Sequence, residues 1–223
     1  MAARLQHIPT NLITGYRGAG KSSAILSLLA RRPRGERWAV LVNDSGQGGA
    51  RDWDYFAGGA EDVTVSVVAG GCICCTAKIS LRVALTQLLR KARPQRLLIE
   101  PASLAHTAAV IDTLRDPWLA EALDLRTTIC IADPLQFADP LLAASEVYIG
   151  QLALADVVVA SKDDLATSAQ LQVLLDYARG LRPPKLRVLP ARNGAFPLEW
   201  LDLAPVSDGL MAAQGTPSVT SAA

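Results

Sequence analysis

A glycine-rich octapeptide near the amino terminus carries the strongest chemical signal in the chain. It reads Gly-Tyr-Arg-Gly-Ala-Gly-Lys-Ser over residues 15–22 and matches the Walker A pattern. The glycines let the backbone curl, so that successive amide N–H groups point at phosphate oxygens. Lys21 would place its charge on the β- and γ-phosphates, and the Ser22 hydroxyl would bind Mg²⁺. The octapeptide therefore predicts a binding site for a nucleoside triphosphate.

The residues on either side of the octapeptide support this interpretation over a chance glycine turn. An apolar segment, 8–14, leads into the loop, and residues 23–30 follow it with helical spacing. A helix that begins near Lys21 would aim the positive end of its dipole at the phosphates. The positions expected to contact the nucleotide here are Gly15, Gly18, Ala19, Gly20, Lys21, Ser22 and Ser23.

Three of the four cysteines fall within four positions, at Cys72, Cys74 and Cys75. Thiolates are soft ligands that suit zinc or another late first-row metal. One short segment rarely places three thiolates on one tetrahedral ion, so an acid such as Asp44, or a partner, would complete the site. Redox or structural thiols are the alternative. With only two histidines in the chain, an imidazole-rich site is excluded.

An acid at the end of a short apolar strand supplies the second part of the nucleotide site. Residues 96–100 read Arg-Leu-Leu-Ile-Glu, which is the Walker B arrangement. Glu100 would emerge beside the phosphates and share Mg²⁺ with Ser22. Lys21 and Glu100 are accordingly the candidate catalytic residues.

The elements that must position these groups predict an α/β fold of the P-loop NTPase type, with three α/β/α layers and a mostly parallel sheet. The predicted strands are 8–14, 38–42, 63–68, 96–100, 126–133, 157–160 and 186–189. The predicted helices are 77–91, 105–114, 141–154 and 168–179, besides the one after the glycine loop and a terminal helical turn at 196–203. The nucleotide-binding domain would span 1–203. Residues 204–223 are poor in core-forming side chains and are expected to be disordered.

Bulk composition narrows the class of protein. Half of the 223 residues are hydrophobic and the mean hydropathy is +0.23, which suits buried parallel strands. A formal charge of +1 gives no reason to expect binding to nucleic acid or to an anionic membrane. No apolar run approaches the roughly 20 residues of a membrane span, and the first residues lack a secretory signal. We therefore expect a cytoplasmic protein.

Taken in order, the glycine loop, the cysteine cluster, Glu100 and the segment 161–164 resemble the CobW-type metallochaperone GTPases. The stretch 70–76, Gly-Gly-Cys-Ile-Cys-Cys-Thr, is very close to the Cys-x-Cys-Cys signature of that family, and Gln151–Asp156 is similar to its run before the base motif. The similarity covers roughly residues 8–195. It implies a GTPase that couples hydrolysis to the binding or delivery of a transition metal, zinc foremost, to a client metalloprotein.

The segment Ser-Lys-Asp-Asp at 161–164 stands where the family reads the base with Asn-Lys-x-Asp. Asp164 would accept hydrogen bonds from the guanine N1–H and exocyclic amine, a contact that adenine cannot make. Lys162 would lie along the base plane and Ser161 would tether neighbouring loops. GTP is therefore expected to bind better than ATP, unless the segment is a chance surface turn.

Other departures from the family pattern leave the activity open. The family's Asn-Glu-x-Gly-Glu reads Asn-Asp-Ser-Gly-Gln at 43–47, and its Glu-x-x-Gly reads Glu-Pro-Ala-Ser at 100–103. A polar tail stands where the family usually carries a second domain. Hydrolysis is expected to be slow, and a non-catalytic nucleotide- and metal-responsive binding module is the main alternative. A P-loop kinase for a small molecule is disfavoured by the base motif and by the absence of an arginine-rich lid. The sequence specifies neither the client nor the oligomeric state.

Overall fold

One twisted sheet organises the protein. The computed structural model describes residues 6–44, 53, 62–69 and 78–206. The sheet has seven strands in the order β3-β2-β4-β1-β5-β6-β7, and every pairing is parallel. The strands are β1 (Ile8–Thr14), β2 (Trp38–Asp44), β3 (Val63–Ala69), β4 (Arg96–Glu100), β5 (Leu123–Ala132), β6 (Val157–Ala160) and β7 (Arg187–Pro190). The predicted fold class is confirmed, with a sheet that is parallel throughout.

Helices connect the strands on both faces of the sheet, as right-handed parallel crossovers require. They are α1 (Lys21–Ala30), α2 (Lys78–Ala92), α3 (Thr107–Leu114), α4 (Pro117–Ala120), α5 (Pro134–Phe137), α6 (Pro140–Ala143), α7 (Glu146–Leu154) and α8 (Ser168–Gly180). Two 3₁₀ turns, Arg192–Gly194 and Leu198–Asp202, follow the last strand.

The apolar side chains form three clusters that explain the layering. On one face, β-strand residues such as Ile13 and Ile131 pack against α1 and the 3₁₀ turn Leu198–Asp202. On the other face, the β1–β2–β4 half packs against α2 and α3. The β5–β6 half of that face packs against α7 and α8. The central strands β1, β4 and β6 are therefore largely buried on both sides, as parallel strands between two helix layers are.

Local capping decided several element bounds that apolar periodicity had not predicted correctly. The helix predicted over 141–154 is interrupted, because the Ser145 side chain accepts a hydrogen bond from the Tyr148 amide and begins a new helix there. The helix predicted from residue 105 begins only at Thr107, because His106 before it has an extended backbone, and the His106 side chain makes no capping hydrogen bond. The short helices α4 and α5 were not predicted. Each begins at the proline of an Asp-Pro pair, and the aspartate caps the helix.

β1 lies at the centre of the sheet, between β4 and β5. The chain leaves β1 towards β2 on one side, whereas the later strands β5, β6 and β7 build the other side. The carboxyl ends of β1, β4, β5 and β6 therefore open on one crevice, where open parallel sheets bind their ligands. Among the residues that the structure describes, no helix is both long and apolar enough to cross a membrane.

Candidate functional site

The glycine loop between β1 and α1 is shaped by close approach to β5. A Cβ atom on Gly15 would lie 2.3 Å from the carbonyl oxygen of Ile131, and the residue has a φ of +142°. Gly20 ends the loop with a φ of +101° and is the N-cap of α1. Only glycine fits the first position without moving the β5 backbone. The loop is thereby held against the sheet, with α1 beginning directly behind it.

Lys21 lies buried at the start of α1, with 5% of its surface exposed. Its ammonium group donates to the carbonyl oxygen of Tyr16 at 3.2 Å and to the Ser103 hydroxyl at 2.9 Å. Burial lowers the pKa of Lys21, and the nearby Glu100 carboxylate opposes that shift. The ammonium is thus poorly solvated, which strengthens its attraction to an anion brought into the loop.

Ser22 and Glu100 meet at the carboxyl end of β4, although 78 positions separate them in the sequence. The Ser22 hydroxyl lies 3.0 Å from Oε1 and 3.1 Å from Oε2 of Glu100. Glu100 is itself buried. A hydroxyl and a carboxylate are hard oxygen donors of the kind that hold Mg²⁺ together with substrate phosphates. These two side chains therefore fit the predicted magnesium site.

The loop after β6 is tied to the glycine loop and to the end of β5. The buried Ser161 hydroxyl donates to the carbonyl oxygen of Ala19 at 2.6 Å and lies 3.2 Å from that of Ala132. Lys162 adopts a left-handed backbone, with a φ of +52°, and its ammonium lies 2.8 Å from Oδ2 of Asp133. The hydroxyl at 161 thus joins the two loops that a nucleotide would contact at its phosphates and its base.

A pocket of about 540 Å³ runs from the glycine loop to the loop after β6. Its lining combines backbone and small side chains of the first loop with the polar side chains of the second. The lining residues are Ala19, Gly20, Ser23, Leu26, Ser27, Ser161, Lys162, Asp164, Leu165 and Gly194. Its volume lies in the range of small-molecule and cofactor sites. It brings six of the predicted nucleotide-binding residues to one cavity.

Three side chains around this pocket were not predicted from the sequence. Asp133 pairs with Lys162 and also accepts from the Leu135 amide at 2.9 Å. Gln136 donates to the carbonyl oxygen of Arg17 in the glycine loop at 2.6 Å. Gln151 donates to the carbonyl oxygen of Ser103 at 2.8 Å. The Asp-Pro pair at 133–134 was the one local signal, because it marks a helix start at the end of a strand.

The predicted zinc ligands fall largely outside the part of the chain that the structure describes. Cys72, Cys74 and Cys75 are not among the described residues, and neither are residues 45–52 and 54–61. For Asp44 the structure gives the backbone position alone, as the last residue of β2. Within the described ranges, no three His, Cys, Asp or Glu side chains are grouped closely enough to hold a metal.

The fourth cysteine belongs to the core. Cys130 lies in β5 with 1% of its surface exposed. Burial raises the pKa of its thiol from 9.0 to about 12. A thiol that stays protonated in this way is a poor metal ligand and a poor nucleophile. The metal prediction therefore still depends on the cysteines at 72–75.

Comparison with known proteins shows the family to which this sequence is similar. Residues 9–188 match the family described as CobW/HypB/UreG, nucleotide-binding domain. The zinc chaperone YeiR of Escherichia coli is 42% identical over 165 residues, which are 74% of this chain and 49% of that protein. The zinc-regulated GTPase metalloprotein activator 1 of Schizosaccharomyces pombe is 32% identical over 178 residues, which are 76% of this chain and 42% of that protein.

Solved structures show the same fold at lower sequence identity. The Zn(II)-bound YjiA GTPase of E. coli superimposes with a TM-score of 0.56 at 20% identity, over 86% of this chain and 60% of that one. The hydrogenase maturation factor HypB of Archaeoglobus fulgidus gives 0.56 at 16% identity, over 91% and 89%. This chain spans about half the length of the curated relatives it matches.

Proposed function

The chain belongs to the CobW/HypB/UreG nucleotide-binding domain family, and we propose that it binds GTP with Mg²⁺, hydrolyses the GTP slowly, and uses the nucleotide state to control delivery of zinc to a client metalloprotein. One observation carries the nucleotide part of this proposal. The Lys21 ammonium and the Ser22–Glu100 pair lie directly beside Gly20 and Ser23, and these two residues line a pocket that Lys162 and Asp164 line as well.

At the phosphate end, the described contacts use two of the three ammonium protons of Lys21. The third can point at a phosphate oxygen. Ser22 and Glu100 would hold Mg²⁺, which when bound supplies charge neutralisation between the β- and γ-phosphates. Lys21 would stabilise the charge that builds on the transferred phosphoryl group.

At the base end, Asp164 and Lys162 line the pocket. A carboxylate at 164 can accept two hydrogen bonds from guanine, whereas adenine offers an acceptor at the same place. Asp133 restrains Lys162 through a short ion pair, so the lysine stem can lie along one side of the base. These contacts support a preference for guanine nucleotides.

The zinc part of the proposal is supported by two observations. The relatives at 42% and 28% identity are named zinc chaperones. In the sheet, Asp44 and Ala69 are direct partners at the ends of β2 and β3. The chain therefore leaves β3 beside Asp44, three residues before Cys72. Thiolates at 72, 74 and 75 with a carboxylate at 44 would make an open site suited to transfer of zinc or another late first-row metal.

The cellular setting follows from the same chemistry and is part of the proposal. Clustered thiolates stay reduced and free to bind metal in the cytoplasm, whereas an oxidising compartment would convert them to disulfides. GTP, the proposed substrate, would have to be supplied there as well. The client protein would be an apo-metalloprotein that accepts zinc from the chain.

The decisive experiment is multiple-turnover GTP hydrolysis with and without one equivalent of zinc. We expect slow turnover that requires Mg²⁺ and changes when zinc is added, and no turnover by Lys21→Ala. Tight GTP binding without any turnover would favour the non-catalytic binding module, which the serine at 103 makes the second candidate. ATP bound as well as GTP would contradict the guanine assignment.

Coupling between the two sites is tested by zinc titration against a competing chelator. We expect tighter zinc binding with a non-hydrolysable GTP analogue than with GDP. Couplings of this kind are typically about 5- to 150-fold, and zinc must change the ratio of GTP-analogue affinity to GDP affinity by the same factor. Replacing Cys72, Cys74 and Cys75 together by serine should abolish the zinc binding. Equal zinc affinity in the two nucleotide states would remove the coupling.

A further inference from the structure

The turn that follows Glu100 is fixed to the glycine loop by its serine. The Ser103 hydroxyl accepts a hydrogen bond from the Lys21 ammonium at 2.9 Å. Glu100, three residues earlier, meets the Ser22 hydroxyl at 3.0 Å. The turn is thus bonded at both of its ends: Glu100 contacts Ser22, and Ser103 contacts Lys21. Ser103 is partly buried, whereas its neighbour Leu104 is exposed.

Gln151 holds the same serine from the opposite side. Its amide nitrogen donates to the Ser103 carbonyl oxygen at 2.8 Å, from a side chain with 1% of its surface exposed. One turn earlier on α7, the Tyr148 ring meets the Tyr16 ring of the glycine loop edge-on at 5.7 Å. Helix α7 therefore braces both the turn and the loop.

The amide of Gln151 is costly if its role is only to stabilise the fold. Its Oε1 is buried and has no hydrogen-bond partner among the described residues. A buried acceptor left in this state typically costs about 1–3 kcal/mol, and an apolar side chain of the same shape would avoid that cost. The cost of burying the Gln151 amide is accounted for if the amide serves to fix the position of Ser103 for binding a ligand.

The Ser103 hydroxyl can form one more hydrogen bond, as a donor. A hydroxyl that accepts from Lys21 still has its own proton to donate. Ser103 is not among the described non-glycine residues with positive φ. The turn therefore accommodates a side chain here without the strain that would call for glycine.

We propose that Ser103 reads the γ-phosphate by donating its hydroxyl proton to it, and that Gln151 is the positioning residue that holds Ser103 in place. This inference rests on the proposed GTP function and deepens it. In GDP the γ-phosphate is missing, so the hydroxyl contact is lost while the Lys21 contact to the β-phosphate remains. The turn and the exposed Leu104 beside it then respond to the nucleotide state.

The test compares affinities for GDP and for a non-hydrolysable GTP analogue, with Mg²⁺ present, in the full chain. Ser103→Ala should weaken the GTP analogue about tenfold, the value of one hydrogen bond to a charged group, and change GDP by less than about twofold. Ser103→Thr keeps the hydroxyl and should retain most of the discrimination. Gln151→Met removes the positioning bond and should weaken the analogue about threefold, again with little effect on GDP.

Gln172→Ala is the matched control, because that amide bonds only the exposed Asp176 side chain on α8 among the described contacts. It should change neither affinity. Equal loss of both nucleotides in Ser103→Ala would show that the hydroxyl merely supports Lys21 and would overturn the inference. An unchanged analogue affinity in Ser103→Ala, with thermal melting intact, would overturn it too. A parent protein that binds neither nucleotide would instead overturn the proposed function, so the two failures are distinguishable.

Discussion

Two regions of this protein bury polar side chains, and they do so in different ways. One is the nucleotide edge, formed by Lys21, Ser22, Glu100 and the loop 161–164. The other, which we call the amino-end network, is formed by Asn11, Arg96 and Thr127 beneath the 3₁₀ turn Leu198–Asp202. This network lies near the end of the sheet at which β2 and β4 begin, with Trp38 and Arg96.

The amino-end network is closed on itself. The Asn11 amide nitrogen donates to the carbonyl oxygens of Thr127 at 3.1 Å and Leu201 at 3.0 Å. Its oxygen accepts from Arg96 at 3.0 Å, and the Arg96 guanidinium stacks over the Trp38 ring. The carbonyl oxygens of Thr127 and Leu201 are main-chain atoms that cannot be exchanged for a ligand. The network therefore fastens the carboxyl-terminal turn to the sheet.

At the nucleotide edge, several of the bonds join one side chain to another. Lys21 donates a hydrogen bond to Ser103, Ser22 to Glu100, and Lys162 to Asp133. Side-chain partners can move aside when an anion or a metal ion offers a stronger contact. Burial of polar groups alone therefore does not distinguish a binding site from a structural network, whereas the kind of partner that satisfies those groups does.

The largest effect is expected from Lys21→Met, which removes the charge and keeps the stem. Nucleotide affinity should fall on the order of 100-fold or more, since each contact to a phosphate is worth about 1.5–3 kcal/mol. The free energy of unfolding should fall by less than about 1 kcal/mol, because a desolvated charge is removed as well. Isothermal titration and urea unfolding measure the two quantities. A large loss of unfolding free energy would contradict this prediction, because it would mean that Lys21 has a structural role like that of the residues in the amino-end network.

Asn11→Ala should produce the opposite pattern. It breaks several buried hydrogen bonds at once and leaves main-chain acceptors unsatisfied, so we expect a loss of about 2–4 kcal/mol in unfolding free energy. GTP affinity of the folded protein should change less than about twofold. Gln172→Ala, which removes an exposed hydrogen bond, should stay within about 0.5 kcal/mol and serves as the control. A nucleotide defect without a stability defect would refute the division between the regions.

Asp133→Asn probes the exchangeable bonds at the base end. Asparagine can still cap α5 through its oxygen, but it no longer attracts the Lys162 ammonium. We expect the ratio of GTP to ATP affinity to fall about fivefold, as for a partly exposed ion pair worth about 1 kcal/mol. Competition binding with both nucleotides measures the ratio. Parallel weakening of GTP and ATP would mean that Asp133 shapes the glycine loop and not base recognition.

The smallest effect concerns Cys130, which lies in β5 between Thr127 and Asp133. Its folded pKa is about 12 and its ordinary value is 9.0, so the unfolded chain releases this proton first. The stability that the neutral thiol contributes is present below pH 9 and is lost as the pH rises towards 12. Cys130→Ala removes a buried sulfur atom and should therefore be less stable at pH 7. The gap to the parent should narrow by about 1 kcal/mol near pH 10, because the parent alone loses the contribution of the neutral thiol. A gap that is constant with pH would contradict the burial effect.

Much of the fold was predictable because its signals are local. The strands β1, β4 and β6 are apolar runs whose bounds were predicted to the residue, and the glycine loop follows from the spacing of Gly15, Gly20 and Lys21 alone. Bounds set by capping side chains were less predictable. The helix predicted over 141–154 failed at Ser145, because a cap competes with helical continuation only once the following turn is positioned.

The sequence by itself determined which residue types are proposed to meet a nucleotide. The glycine loop, the acid at 100 and the acid at 164 each have a fixed place after a strand. Only the tertiary structure decided their partners. The order β4-β1-β5-β6 brings Ser103 to Lys21, Gln151 to Ser103 and Asp133 to Lys162, across 82, 48 and 29 positions of sequence. Such contacts depend on which strands lie side by side, and apolar periodicity within one strand carries no information about its neighbours.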